Sequence, residues 1–322
     1  MVAHNNYHGT SAATVSTVAY ARNGDCEIYF ETFGDPAHPA LILVNGLGSQ
    51  CINYHEDWCA MFAAEGLFVI RFDNRDMGLS SKFDDAAIGP KGETYVLSDM
   101  AGDPMAVLDA LGIERAHILG LSLGGMIVQV VAIEHPDRLL SMTSVMSTTG
   151  EAEFGRSTPA ALELLLASAA TDKHSYVDGF VAGLREWGTP EFADETRWRR
   201  DAGRAFDRCF HPSGAGRQML AVMASEPRAD KLGSIRVPTL VIHGDRDTLI
   251  DESGGRRTAE LIPGARFELI GGMGHDYPPQ LWNRWVQLVT EHAADASRPS
   301  AGPITLKHRS GRVERMYPSE SR

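Results

Sequence analysis

Cysteine is scarce in this chain, lysine nearly as scarce, and no apolar run is long. The four cysteines, Cys26, Cys51, Cys59 and Cys209, stand among 322 residues with no C-x-x-C pair. That excludes a disulfide scaffold and reads as free thiols in a reducing cytosol. No stretch reaches the roughly 18 consecutive apolar residues that a membrane helix needs. The opening residues hold no basic stretch leading into an apolar one, so a secretory leader is not expected either. Only 5 of the 30 basic residues are lysines, 42 residues are acidic, and the formal net charge is −12. A duplex nucleic-acid binder needs a basic face to displace counterions, so that class is set aside. There is no H-E-x-x-H and no cluster of Cys and His, so no metal is expected. The one glycine loop with dinucleotide-like spacing, at 45–48, lacks G-x-G-x-x-G and its acidic partner, so no cofactor is expected.

What is present is ordinary globular composition, 43% hydrophobic and 22% charged, and a rhythm of alternating elements. Ala40–Val44, Phe68–Phe72, His117–Leu121, Ser144–Met146 and Thr239–Ile242 are short apolar runs of the kind buried on both faces of a parallel sheet. Amphipathic stretches such as Ser98–Leu111 and Met126–Glu134 lie between them. This predicts a mainly parallel central sheet with helices on both faces. Asn23-Gly24, between Thr14–Ala21 and Cys26–Phe33, predicts an antiparallel hairpin that opens the sheet. From 148 to 236 the rhythm breaks into helical segments punctuated by Pro159, Pro190, Pro212 and Pro227. That region reads as a helical cap inserted over the carboxyl ends of the strands, where open α/β sheets place their ligands. The division is then a flexible segment at 1–13, a core at 14–147 and 237–295, a cap at 148–236, and a basic, poorly ordered tail at 296–322.

Gly120-Leu121-Ser122-Leu123-Gly124 stands where a buried strand meets a helix, the context of a nucleophile elbow. The glycines leave room for a sharp, strained turn that lifts Ser122 above the sheet. A serine hydroxyl is a poor nucleophile at neutral pH and needs a base, which in turn needs an orienting acid. Among the histidines, His117 and His243 lie in or at the end of buried strands and read as core residues, and His135 ends a helix. His275, in the Gly271–Pro278 loop after the run Arg266–Ile270, leaves the same rim as Ser122 and is the predicted base. Asp247 is the predicted acid because it lies further into its loop than Asp245. Asp245 and Glu151 remain the alternatives. The order Ser122, Asp247, His275 is that of α/β-hydrolase triads. The amides of Leu47, in the loop Asn45–Gly48, and Leu123 are the predicted oxyanion donors. In the cap, Phe180, Trp187, Phe192, Trp198, Phe206, Met219 and Met223 supply bulky apolar side chains. Trp187 and Phe192 are the predicted contacts of an apolar ester substrate.

Four motifs recur at mutually consistent positions. They are Asn45-Gly46-x-Gly48, Asp73-Asn-Arg-Asp-x-Gly78-x-Ser80, Gly120-x-Ser122-x-Gly124, and Gly244-x-x-Asp247 with Gly274-His275-x-x-Pro278. With them the chain, over about Gly24–Ala294, resembles an α/β-hydrolase of the alpha/beta-hydrolase-1 type. The segments FGDPAHPALILV, FVIRFDNRDMGLS and AHILGLSLGGMIVQV are most similar to aclacinomycin methylesterase-like serine esterases. The resemblance implies hydrolysis of a carboxylic ester by Ser122, His275 and Asp247, so a small-molecule ester is the expected partner, with no nucleic acid and no membrane span. The scarce cysteines and absent leader point to a cytoplasmic location. The chain departs from the broader family at Asn45, where a histidine is common, at Asp76, where a glycine is usual, and at Asp251, often a proline. Lactone or enol-lactone hydrolysis and perhydrolysis use the same triad, so they stand as alternatives. A small-molecule receptor keeping the fold without turnover is the alternative of another class. Oligomeric state is left open.

Overall fold

Alternation within each strand sets the two faces of the sheet. In β3 (Ala40–Val44) every residue is buried. Leu41 and Leu43 face one apolar layer, and Ile42 and Val44 the other, as the two-residue period of a strand requires. The computed structural model describes residues 17–297 and, beyond them, two short paired strands at Thr305–Lys307 and Val313–Arg315. The expected flexible segment at 1–13 lies outside the described residues, as does most of the expected tail at 296–322.

β1 (Thr17–Asn23) and β2 (Cys26–Phe33) form the antiparallel hairpin across Asn23↔Cys26. Then come β4 (Phe68–Phe72), β5 (Ala116–Leu121), β6 (Leu139–Val145), β7 (Thr239–Gly244) and β8 (Arg266–Ile270). The eight strands are ordered β1-β2-β4-β3-β5-β6-β7-β8. β2 runs antiparallel to β4, and all pairs from β4 to β8 are parallel. α1 (Glu56–Ala64) and α10 (Pro279–Ser297) cover one face through Trp58, Phe62, Trp285 and Val289. α2 (Leu97–Ala110) and α3 (Leu123–Glu134) cover the other.

Two departures from the apolar-run reading have physical causes. β6 starts five residues earlier than its apolar run, because Ser141 and Thr143 interrupt the hydrophobic pattern while buried; the Ser141 hydroxyl sits 2.8 Å from His117 Nδ1. Met146 leaves the strand with φ at +42°. In β4, Arg71 lies inside the apolar run yet is 1% exposed. Its guanidinium donates to Glu31 and to Glu56 at 2.9 Å, so the buried charge is paired on both sides.

Between β6 and β7 the described residues hold helices and no strand: α4 (Pro159–Leu165), α5 (Lys173–Trp187), α6 (Glu195–Arg208), α7 (Pro212–Ala224) and α8 (Ala229–Leu232). Local chemistry starts them. Thr158, Asp172 and Asp194 each accept a backbone N–H from the first turn of α4, α5 and α6. Pro159 and Pro212 occupy the first helical position, where no N–H is needed. Ion pairs tie this segment to α1 and to the loop after β4: Arg204 to Glu56, Arg208 to Asp73 at 2.8 Å, and Arg217 to Asp76 at 2.7 Å.

Candidate active site

Ser122 occupies the step from β5 into α3 with φ at +54° and ψ at −115°. A side chain rarely holds this backbone without strain, of order 1–3 kcal/mol. The neighbours make it possible. A Cβ on Gly120 would stand 2.1 Å from the Gly124 carbonyl oxygen, and one on Gly124 would stand 2.2 Å from that of Val44. The Ser122 N–H is anchored on the Val145 carbonyl at 2.9 Å. The side chain is half-buried and lines a cavity of about 440 Å³ between the strand ends and the helical insertion.

His275 enters the same cavity from the loop that follows β8. Its own N–H donates to the Trp187 carbonyl at the end of α5, so the insertion helps seat it. Its Nδ1 lies 2.6 Å from Asp247 Oδ2. A carboxylate only accepts, so Nδ1 carries the proton and Nε2 is left as the free basic nitrogen. The other Asp247 oxygen accepts the N–H groups of Leu249 at 2.9 Å and Ile250 at 2.8 Å. Burial pushes this carboxyl up, but His275 and then His243 outweigh it and hold it at about 2.

The remaining candidates fall elsewhere. Asp245 accepts the Gly272 N–H at 2.7 Å, bracing the loop that carries His275 without touching its ring. Glu151 pairs with Arg257 at 3.0 Å. His243 is fully buried. Its Nε2–H points to the Ile250 carbonyl at 2.8 Å and passes 3.3 Å from Asp247 Oδ2. Burial pushes His117 down to about 4, with His292 adding to the effect. Leu47 and Leu123 both line the cavity beside Ser122. Neither amide has an acceptor among the described residues.

Trp187 lines the cavity, whereas Phe192 does not. The placement of Phe192 at the substrate is therefore corrected. Thr189 is pinned to buried Asp276 by its N–H at 2.9 Å and its hydroxyl at 2.5 Å. The next turn, Pro190–Phe192, lies outside the lining. Phe180 and Leu184 line the cavity with Trp187. Leu184 and Trp187 stand four and seven residues after Phe180 along α5, the helical spacing that puts all three on one face and would have found them. Trp198 and Met219 also line it. Phe206 packs on Tyr176 and Phe210 inside the insertion, and Met223 faces outward.

The three departures from the family pattern each have a contact. Asn45 turns inward and donates to the Phe72 carbonyl at 3.1 Å. Asp251 caps α9 (Glu252–Leu261), accepting the Ser253 N–H at 2.9 Å. Asp76 takes a left-handed backbone, φ +70°, that suits glycine. Its carboxylate accepts from Arg217 at 2.7 and 2.9 Å, from the Tyr95 hydroxyl at 2.7 Å and from the Phe83 N–H at 2.9 Å.

Residues 39–202 match the sequence profile described as the alpha/beta hydrolase fold. Rhodomycin D methylesterase DauP of Streptomyces sp. (strain C5) is 31% identical over 290 residues, 84% of this chain and 96% of that protein. Rhodomycin D methylesterase DnrP of Streptomyces peucetius is 28% identical over 304 residues, 85% of this chain and 97% of its own. The crystal structure of the enol-lactonase from Burkholderia xenovorans LB400 superposes with a TM-score of 0.69 at 24% identity. It covers 86% of this chain and 100% of its own, and shares the fold.

Proposed function

The chain belongs to the alpha/beta hydrolase fold family, and from that premise we propose that it is a serine esterase working through Ser122, His275 and Asp247. The observation that carries this reading is the 2.6 Å contact of His275 Nδ1 with Asp247, made on the wall of the cavity that Ser122 also lines. Asp247 holds the imidazole in the tautomer whose Nε2 is basic. His275 takes the hydroxyl proton as Ser122 Oγ bonds to the ester carbonyl carbon. The carbonyl π electrons move to oxygen, and the Leu47 and Leu123 amides hold the resulting oxyanion. As the oxyanion collapses, the bond to the leaving alkoxide breaks and His275 returns its proton to that alcohol. Water, deprotonated by the same histidine, then releases the acid and restores Ser122. In this reading 14–147 with 237–295 form the catalytic core and 148–236 form a cap.

The substrate is a small-molecule carboxylic ester, with its apolar part against Phe180, Leu184 and Trp187. The similarity to methylesterases supports an ester, and an enol-lactone would suit the same triad. Among the described residues no helix is long and apolar enough to cross a membrane. Four free cysteines suit the reducing cytoplasm. The test is hydrolysis of a panel of activated acyclic esters and lactones by the purified protein and by Ser122→Ala. Turnover that needs Ser122 is expected. Binding without turnover of any ester or lactone would make the protein a receptor instead.

A further inference from the structure

Gln218 is a polar side chain with no exposure at all, sited in α7 of the insertion rather than in the sheet. Its amide bridges two loops. Oε1 accepts the N–H of Gly48 at 3.0 Å, and Nε2 donates to the carbonyl of Arg75 at 3.0 Å. Gly48 immediately follows Leu47 and holds a left-handed backbone, φ +67°. The peptide plane that carries the Gly48 N–H also carries the Leu47 carbonyl, so fixing that N–H limits rotation about Leu47. The neighbouring Arg217 pairs with Asp76 through two hydrogen bonds. A Cβ on Gly214 would stand 2.3 Å from the Asp76 carbonyl oxygen, so α7 lies directly on that loop.

A glutamine in a helix that merely packs would turn to solvent or be replaced by an apolar residue, since burying an unpaired amide costs free energy. Here both ends are satisfied, and one end is the loop whose Leu47 lines the cavity beside Ser122. We propose that Gln218 is a positioning residue for the oxyanion site: it aims the Leu47 N–H by holding Gly48, and the Asp76–Arg217 pair keeps α7 in the place from which it reaches. The insertion therefore completes the catalytic geometry as well as covering the substrate. This rests on the assignment of Leu47 as an oxyanion donor. Asp76 gains a reason for its left-handed backbone: glycine would adopt that conformation more easily but would leave Arg217 without its buried partner.

The experiment compares Gln218→Met, similar in length and without the amide, with the unaltered protein on one neutral activated ester. A trifluoromethyl ketone, which adds to the serine as a tetrahedral oxyanion, is measured beside its non-fluorinated methyl ketone, a ground-state mimic. Misplacing one donor by about 1 Å costs on the order of a hundredfold. The expected result is a fall in kcat of about tenfold to a hundredfold with KM within about twofold. The trifluoromethyl ketone should weaken by the same factor and the methyl ketone hold its affinity. Arg217→Gln, with Gln218 intact, should show the same pattern more weakly. Unchanged kcat and unchanged trifluoromethyl ketone affinity in folded Gln218→Met would overturn the inference while leaving the esterase reading intact. No adduct and no Ser122-dependent turnover in the unaltered protein would sink both. Should the variants fail to fold, amide hydrogen exchange on the unaltered protein decides. The Gly48 N–H should be protected, and the Leu47 N–H should exchange freely until the ketone adduct forms. Rapid exchange at Gly48 would refute the contact.

Discussion

His275 and Asp247 lie 28 residues apart in the chain and 2.6 Å apart in space, each on a loop leaving one of two adjacent parallel strands. Parallel pairing of β7 with β8 brings Gly244 beside Ile270, so both loops depart from the same edge of the sheet. Leu249 and Ile250 donate to the carboxylate oxygen that His275 does not use, which fixes the carboxylate independently of the imidazole. Oxygens with fixed, separate tasks are what an orienting acid requires.

That division predicts a sharp contrast between two neighbouring aspartates. Asp247→Asn should lower kcat/KM by about 10⁴, the scale of that change in a serine protease, since an amide can present its NH₂ to Nδ1 and select the wrong tautomer. Asp245→Asn should be far milder, because Asp245 accepts only the Gly272 N–H at 2.7 Å. Steady-state kinetics on one activated ester checks the ranking. The reverse order in folded protein would move the acid to Asp245.

A fluorophosphonate should label Ser122 alone, since an activated hydroxyl attacks phosphorus as it attacks a carbonyl carbon. His275→Ala should abolish the label. His243→Leu should keep it in the folded fraction, while leaving the Ile250 carbonyl without its 2.8 Å donor. An unsatisfied buried acceptor costs about 1–3 kcal/mol, so the melting temperature should fall. Peptide mapping reads the first effect and a thermal melt the second. Equal loss of label in both folded variants would reopen the choice of base.

Stability should depend on pH through His117. Burial pushes this ring from the ordinary 6.5 to about 4. The unfolded chain therefore binds the proton more readily than the folded one between those values, and stability rises with pH across that window. The contribution is fully present above about 6.5 and is lost as pH falls toward 4, a difference of about 3 kcal/mol. His117→Asn removes the titrating group, so its denaturant midpoint should change less between pH 6.5 and 4 than that of the unaltered protein. Parallel curves would place the titration elsewhere.

The sequence made much of the site readable because strain and spacing leave local marks. Gly120 flanks Ser122 for a steric reason contained in the motif, the Gly124 carbonyl, while Gly124 itself is crowded by Val44 of the neighbouring strand. The runs Ala40–Val44 and Phe68–Phe72 are apolar because both their faces are covered. What stayed hidden depends on partners distant in the chain. Arg71 interrupts an apolar run, and its partners Glu31 and Glu56 come from another strand and from a helix. Ser141 and Thr143 disguised the start of β6. Nothing in the local sequence distinguishes Gln218 from a solvated glutamine, since its partners at Gly48 and Arg75 are more than 140 residues away. Phe192 lies outside the cavity lining, since a count of aromatics in a helical segment does not say which of them face inward.

The same contrast gives a test of where the substrate lies. Trp187 ends α5 on the cavity wall with Phe180 and Leu184, and Phe192 lies outside the lining. Each methylene of an acyl chain that leaves water in an apolar pocket contributes up to about 0.8 kcal/mol, so kcat/KM should climb with chain length until the space is full. Replacing the indole of Trp187 by a methyl group enlarges that space. Trp187→Ala should therefore move the optimum to longer chains, without removing the fluorophosphonate label at Ser122. Phe192→Ala should leave the optimum where it is, and any cost should appear in the melting temperature alone. A series of p-nitrophenyl esters of increasing acyl length separates the two variants. If both shift the optimum equally, the acyl group reaches beyond Thr189 and the pocket extends past the wall that Trp187 forms. If neither does, the acyl chain occupies the side lined by Met126, Met219 and Val222, and Trp187 serves through its carbonyl, which seats His275.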